Sequence, residues 1–448
     1  MQTNETIDQL QEKWQAEGVR HALAQFVDIH GVAKGKWVPI EHLRDLIEPG
    51  AGFAGPSVSG LGLPRNGSRS EYYARADLAS ARVLPWQADT VHLICDGYVA
   101  GMPFEGCSRQ TLRRAVVRLA EMGLRLQVGI EPEFFLLRRD ASGGLELPDP
   151  QDTLEKPSYD LKSLQRGDVQ ACLVDLVQHL AHFGFDVLQV DHEDAPGQYE
   201  VNYRYGEAMS AADQYVRFKM AAHATAQQHG LVFSAMPKPF ADRPGSGLHF
   251  HLSLVDTEGV AICAGQDGGL SRRGMHALGG LLRHAKALCA LHAPTVNSYK
   301  RLVVGQSLSG STWAPAHIAW GSNNRTTPAR VTAGRIEWRV PDPSCNVYLA
   351  LAAVIHALMD GLENELQPGP ALEEDLYDWP EGRFGERGVE CLPQSLGEAL
   401  QALQADSSLI QAIGGHIIGQ FVETKSQEWI DYGRQVSAWE WSRYSSRY

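Results

Sequence analysis

Cysteine is scarce in this chain and nowhere paired. The seven residues Cys95, Cys107, Cys172, Cys263, Cys289, Cys345 and Cys391 are odd in number and lack short paired spacings. That excludes a disulfide framework or a zinc ribbon and points to reduced, packed thiols in a cytoplasmic protein. Long apolar runs are missing too: none approaches the ~20 residues that a membrane span needs. The opening Met1-Gln-Thr-Asn-Glu-Thr-Ile has no basic start followed by an apolar stretch, so no export segment is expected. Positive charge is in deficit, with Lys+Arg 40 against Asp+Glu 53 and a net charge of -13, which argues against nucleic acid as a partner. Repeats and low-complexity tracts are absent. A glance at Gly31-Val-Ala-Lys-Gly-Lys36 suggests a phosphate loop, but the spacing is wrong and no Ser or Thr follows the lysine, so it reads as a turn.

What the chain does have is a set of strands with an apolar back and an ionisable front. In Gly129-Ile-Glu-Pro-Glu-Phe-Phe-Leu-Leu137, period two puts Val128, Ile130, Phe134 and Leu136 on one face and Glu131, Glu133 and Phe135 on the other. Leu248 to Leu254 sets His249, His251 and Ser253 against four apolar residues, and Arg335 to Val340 opposes Arg335, Glu337 and Arg339 to Ile336, Trp338 and Val340. Glu193 closes the run from Val187, and Gln198, Glu200 and Asn202 share a face just beyond it. Such strands predict an α+β fold in which a curved antiparallel sheet lines one polar cavity, with helices outside.

Five carboxylates facing one cavity (Glu131, Glu133, Glu193, Glu200, Glu337) would not all stay ionised without compensation. Mostly oxygen donors with a single imidazole favour hard divalent cations such as magnesium or manganese. Arg301, Arg325, Arg330, Arg335 and Arg339 gather in the same part of the sequence, and guanidinium forks grip phosphate and carboxylate oxygens in pairs. Metal and arginine together suggest phosphoryl transfer.

At 448 residues the chain can hold two domains. Helices are expected over 7–17, 109–122, 168–183, 208–230, 272–292 and 347–362, the last apolar but too short to cross a bilayer. Residues 50–70, rich in Gly, Ser and Pro, read as a loop or flap, and 367–390 as a solvated excursion.

Glu-Pro-Glu-Phe at 131–134, Met-Pro-Lys-Pro at 236–239, Gly-Ser-Gly-Leu-His-Phe-His at 245–251, Asn-Ser-Tyr-Lys-Arg-Leu at 297–302 and Arg-Ile-Glu-Trp-Arg at 335–339 resemble the glutamine synthetase family in order and approximate spacing. The resemblance runs from about residue 20 to the end. It looks nearest to the branch holding γ-glutamylmethylamide synthetases and the so-called type III enzymes. It implies a small N-terminal β-grasp domain (1–103) and a catalytic domain (104–448). It also implies a homo-oligomer, a dodecamer of two hexameric rings whose active sites are shared between neighbouring subunits. Two or three magnesium or manganese ions would bind per site, with ATP as co-substrate. One ion would take Glu133, Glu193 and Glu200, and a second Glu131, His249 and Glu337. Arg301 would hold the α-carboxylate of glutamate, Arg339 would lie near its γ-carboxylate, and Gly245 would approach the amino acid through its backbone. Arg325, Arg330 and Arg335 would grip ATP phosphates, with His251 and Ser253 beside the nucleotide and Tyr205 against the adenine.

Departures from the family pattern bear on the amine. Phe53-Ala-Gly-Pro-Ser57 stands where the family carries Phe-Asp-Gly-Ser-Ser, so Ala54 replaces an aspartate that helps to bind ammonium. Trp313, before Ala314-Pro315, replaces the flap glutamate, and Pro244 replaces an asparagine. Two anionic groups near the amine thus become apolar, which favours an amine with an alkyl group to bury. The resemblance therefore implies an ATP-dependent ligase that joins glutamate to a small alkylamine, with methylamine first, through a γ-glutamyl phosphate. Ammonia is the runner-up, longer or aromatic amines follow, and a scaffold relative without catalysis is disfavoured because all six metal-binding side chains match. Tyr377, in Asp375-Leu-Tyr-Asp-Trp379, resembles a nucleotidylation target in altered surroundings, so no such control is expected. The aromatic tail from Trp439 is a plausible docking segment.

Overall fold

The computed structural model describes residues 6–153, 158–266, 268–304 and 313–448. Part of the stretch read for an export segment, residues 1–5, lies outside them. Helix and sheet are mixed. Seven strands come first: β1 (His21–Val27), β2 (Ala33–Pro39), β3 (Ala51–Ala54), β4 (Glu71–Ala76), β5 (Arg82–Leu84), β6 (Gln87–Val99) and β7 (Met102–Pro103). They form one sheet in the order β2-β1-β6-β4-β3, with β5 and β7 also paired to β6. Only the β1–β6 pair is parallel. This sheet has its own apolar core around Phe26, Ile40, Tyr72, Leu93 and Phe104. The phosphate-loop look-alike at 31–36 is a turn only at its start, since residues from Ala33 onward belong to β2.

Ten further strands build a second sheet. They are β8 (Leu124–Arg139), β9 (Leu145–Glu146), β10 (Val187–His192), β11 (Gln198–Tyr203), β12 (Gly206–Glu207), β13 (Val232–Ser234), β14 (Leu248–Asp256), β15 (Trp320–Ser322), β16 (Ala329–Thr332) and β17 (Arg335–Trp338). The order is β10-β11-β8-β14-β17-β16-β15, with β9, β12 and β13 also paired to β8. All neighbours are antiparallel except β15 and β16. The alternation predicted from sequence is what the strands display. Val128, Ile130, Phe134, Leu136, Leu248, Phe250, Leu252, Ile336 and Trp338 all enter the main core. Helices Ser108–Glu121, Gly167–His182, Ala208–Gln228 and Val347–Glu363 contribute their apolar faces to the same core. Phe135, on the opposite face of β8, is nevertheless fully buried, in a small separate cluster with Leu137 and Ala195.

Two expectations need correction. The helix expected over 272–292 is two, Arg272–Arg283 and Ala285–His292, meeting at His284. The imidazole there lies 3.1 Å from Asp360 and 2.5 Å from Asp406, so the break seats a doubly paired side chain between helices. The excursion over 367–390 is not wholly solvated: Leu376, Trp379 and Phe384 form a small core with Ala319. Helices Leu396–Ala405, Ser407–Ile413 and Gly415–Gly433 close the main core from the C-terminal side, and that role had no counterpart in the sequence reading.

Candidate active site

Cross-strand register explains how residues far apart in sequence come to one place. Glu200 of β11 pairs with Glu133 of β8, and Asp191 of β10 pairs with Glu200. His249 of β14 faces Glu131 of β8, while His251 faces Glu337 of β17, which in turn faces Arg330 of β16. Directly opposed residues lie on the same side of a sheet with Cβ atoms about 5 Å apart. The polar fronts of β10, β11, β8, β14, β17 and β16 therefore merge into one floor.

Above that floor is a cavity of about 460 Å³, lined by Glu131, Glu133, Glu193, Glu200, His249 and Glu337, by Arg301, Arg325, Arg330 and Arg339, and by Gly245 and Trp313. A second cavity of about 540 Å³ adjoins it, with Glu131, Gln189 and Asn202 common to both walls, and is lined by Tyr205, His251, Ser253 and Arg335. The expected metal-binding and amino-acid residues thus line one chamber, and Tyr205, His251, Ser253 and Arg335 of the expected nucleotide set line its neighbour. Ala54 is the exception. It is exposed at the end of β3 in the first sheet and does not line the chamber of its own chain.

Electrostatics divides the carboxylates into two groups. Glu337 is 1% exposed, lies 2.5 Å from Arg330 Nη1 and pairs with Arg339. Burial pushes its carboxyl up, but Arg339, His249, His251 and Arg330 outweigh that and hold it near about 2. Glu131 likewise overcomes burial through His249 and His251 and is held far below the ordinary range; His251 Nε2 lies 2.8 Å away. On the other side of the chamber, burial and the charges of Glu133 and Asp194 push Glu193 up to about 8. Glu200 is raised well above its usual value by burial and by Glu131, Glu193 and Glu133. No lysine or arginine pairs with Glu133, Glu193 or Glu200 among the described residues.

Acids pressed together without a cationic side chain are the arrangement that a bound divalent cation relieves, so the donor set fits one. Among the described residues two groups have ligand atoms within 4.8 Å of one another: Glu131 with Glu200 and His249, and Glu131 with His251 and Glu337. Geometry therefore adds His251, expected beside the nucleotide, to the ion-binding candidates and lets Glu131 serve two positions.

The glycine turn before β14 is fixed by close approach. A Cβ on Gly247 would stand 2.5 Å from His249 Nε2 and 2.9 Å from Arg301 Nη2, and the Gly247 N–H donates to Glu133 Oε2 at 2.8 Å. Arg301, 4% exposed, donates to the carbonyls of Val340 and Arg339 at 3.1 and 3.0 Å. These bonds aim its guanidinium, and burial lowers its pKa. Asp191 and Tyr159 also line the chamber and were missed, while Gln198 lines it as the alternation with Glu200 suggested. Asp191 shares the strand face of Glu193 and could have been found by that alternation. Tyr159 comes from an irregular loop with no periodic signal.

The sequence profile of the glutamine synthetase catalytic domain matches residues 105–444, and with this architecture and chamber the chain belongs to the glutamine synthetase family. It is 46% identical over 429 residues to the glutamate–methylamine ligase of Methyloversatilis universalis, covering 95% of this chain and 96% of that one. To the glutamine synthetase of Pyrococcus horikoshii it is 37% identical, covering 96% of each. A solved structure of a GmaS/ADP complex superposes with a TM-score of 0.90 at 37% identity, covering 97% of this chain and 99% of that one.

Proposed function

We propose that this protein is an ATP-dependent ligase joining the γ-carboxylate of glutamate to a small alkylamine, methylamine foremost, through a γ-glutamyl phosphate. The observation that carries the reading is the near full-length 46% identity to the Methyloversatilis universalis ligase. Trp313 in the chamber wall agrees with it, since an indole offers an alkyl group an apolar surface where the family pattern has a carboxylate.

A carboxylate does not acylate an amine directly because its leaving group is too basic. Phosphorylation turns that oxygen into phosphate, which the amine can expel. In this reading Arg301 binds the glutamate α-carboxylate, Gly245 shapes the turn beside it, and Arg339 faces the γ-carboxylate as charge moves onto the transferring phosphoryl group. Arg325, Arg330 and Arg335 hold phosphate oxygens, with His251 and Ser253 beside the nucleotide and Tyr205, 62% exposed, free to stack on its base. Glu131, Glu133, Glu193, Glu200, His249 and Glu337 would hold magnesium or manganese, which when bound neutralise phosphate charge and orient the acceptor oxygen. Glu193, in the chamber wall, is assigned to take the proton of the attacking amine.

The first sheet is assigned to a β-grasp domain spanning 1–103 and the remainder to a catalytic domain spanning 104–448. Ala54 belongs, in this reading, to a neighbouring subunit's site in a dodecamer of two hexameric rings in the cytoplasm. No helix among the described residues is long and apolar enough to cross a membrane. Ammonia is the second reading, favoured by Asp191, Glu193 and Asp194 in the same wall, which would attract a bare ammonium ion. Phosphate release with glutamate, ATP, manganese and each amine in turn tests the choice. A higher kcat/KM for methylamine than for ammonium is expected, and the reverse by a wide margin would overturn it.

A further inference from the structure

β11 opens with Gln198, a polar side chain only 1% exposed. Its Nε2 lies 3.1 Å from Glu133 Oε2, 3.1 Å from the Gly245 carbonyl and 3.3 Å from Ser246 Oγ. Its Oε1 accepts from the Ala195 N–H at 3.2 Å. One planar carboxamide therefore ties together β8, the glycine turn before β14 and the turn that follows Glu193. The Gly247 N–H meets the same oxygen, Glu133 Oε2, at 2.8 Å. With Oε2 held from two sides, Oε1 is the oxygen turned toward His249, 3.6 Å from its Nε2.

The residue type matters as much as the position. A lysine or arginine here would neutralise Glu133 and compete with a cation. A glutamate would set another negative charge about 3 Å from it. An amide fixes the carboxylate's direction while leaving its charge unspent. A second amide–acid pair follows on the same strand, where Asn202 Nδ2 donates to Glu200 Oε1 at 2.7 Å. β11 thus alternates amide, acid, amide along one face.

We propose that Gln198 is a positioning residue: it orients Glu133 toward its cation and, by holding the Gly245 carbonyl, shapes the glutamate subsite. The glutamate half rests on the function proposed above; the cation half does not. Gln198 does not line the neighbouring chamber of Tyr205, Ser253 and Arg335, so affinity for ADP in the absence of divalent ions should be untouched.

Two variants separate the roles. Gln198→Glu keeps the side chain's size and its acceptor for the Ala195 N–H but removes the donor and sets a second acid against Glu133, so it should fold with a Tm below that of wild type. Its KM for glutamate should rise about tenfold or more, with ADP affinity, by calorimetry in the presence of chelator, unchanged. Gln198→Ala should weaken manganese binding, read from the free Mn2+ electron paramagnetic resonance signal without any turnover, by about 10–100-fold, the usual effect of removing a ligand's hydrogen-bond partner. Should the alanine variant fail to fold, the glutamate variant decides alone. Unchanged glutamate KM in the first with unchanged manganese binding in the second would overturn the proposal, as would an equal loss of glutamate, manganese and ADP affinity with a lowered Tm. If the wild type released no phosphate with glutamate and any amine, the proposed function would fall while the manganese titration still judged Gln198.

Discussion

Arg339 Nη2 donates to the backbone carbonyl of Trp313 at 3.1 Å while Nη1 pairs with Glu337. A single buried guanidinium thus joins the ion-binding floor to the wall that bears the tryptophan. Trp313 sits at φ 52, a left-handed conformation that costs a bulky residue energy and persists only when its surroundings hold it. The Tyr377 hydroxyl helps from the other side, donating to the Ala314 carbonyl at 2.5 Å. Two successive backbone carbonyls are thus anchored where the indole enters the chamber wall. Trp313→Glu should therefore move amine preference from methylamine toward ammonium. Losing the burial of one methyl group, ~0.8 kcal/mol, accounts for about fourfold in the kcat/KM ratio. The new carboxylate, which attracts the smaller ammonium ion, should bring the total to on the order of tenfold. The check is the ratio of kcat/KM for the two amines, and an unchanged ratio would remove Trp313 from the amine subsite.

Tyr377→Phe tests the same support from outside the chamber. Losing one hydrogen bond costs about 1 kcal/mol, so Tm should shift by no more than a few degrees. The KM for the amine should rise severalfold as the 313–315 segment loosens, with the KM for ATP unchanged. A uniform loss across all three substrates would mean that Tyr377 supports the fold rather than the wall.

Glu337 carries two guanidinium groups on one buried carboxylate. Glu337→Ala would leave Arg339, itself 4% exposed, without its counter-charge. Breaking a buried pair from one side typically costs ~3–5 kcal/mol. In chelator-treated protein the variant should lose stability of that order by urea titration, and Glu337→Gln, which keeps an acceptor, should lose less. Both should abolish phosphate release. A fully stable alanine variant would show that the arginines find other partners.

How much of this was open to a sequence reading follows from which features repeat locally. The front of the second sheet was legible because β8, β14 and β17 alternate strictly, so Glu131, His249 and Glu337 announce their side by their spacing. Register was not: that His249 sits across from Glu131 rather than Glu133 depends on how the strands slide, which one sequence does not encode in spacing alone. Gln198 was legible as sharing the face of Glu200, but only the folded turn at 245–247 makes its amide a junction. Ala54 was placed at the amine by family resemblance, whereas in its own chain it stands on another sheet. The helix break at His284 escaped because 272–292 keeps helical spacing throughout; its cause is a pair of aspartates 76 and 122 residues further on.

That pair makes stability depend on pH. Burial alone would lower the His284 pKa, but Asp406 and Asp360 outweigh it and raise it above the ordinary value near 6.5. A raised histidine contributes stability that is complete below its unfolded-state pKa and is lost as pH climbs through the higher folded-state value. Asp406 is lowered, despite burial, chiefly by His284, so its contribution exists above the normal carboxylate range and vanishes as pH falls through its folded-state value. Between those limits the clasp is whole. Tm should fall from pH 6 toward pH 9 in the wild type, and His284→Gln should flatten that slope. Equal slopes would show that the clasp contributes nothing.

Cation binding should appear as stability even in the absence of substrates. Glu193 and Glu200 resist ionisation in the free chamber, being raised by burial and by neighbouring carboxylates. A divalent ion removes that conflict and binds the folded chain alone, so stability grows with the logarithm of its concentration, by ~2.7 kcal/mol at one hundred times Kd. Adding manganese to chelator-treated protein should raise Tm by several degrees, and excess chelator should reverse it. Glu200→Gln should behave differently in both states. Without the ion the variant should be at least as stable as wild type, because one repelling acid has gone. With the ion its gain should shrink, because a donor has gone with it. A variant that lost stability in the free form yet kept the full manganese response would show that Glu200 is a structural acid, and would place the cation elsewhere in the chamber.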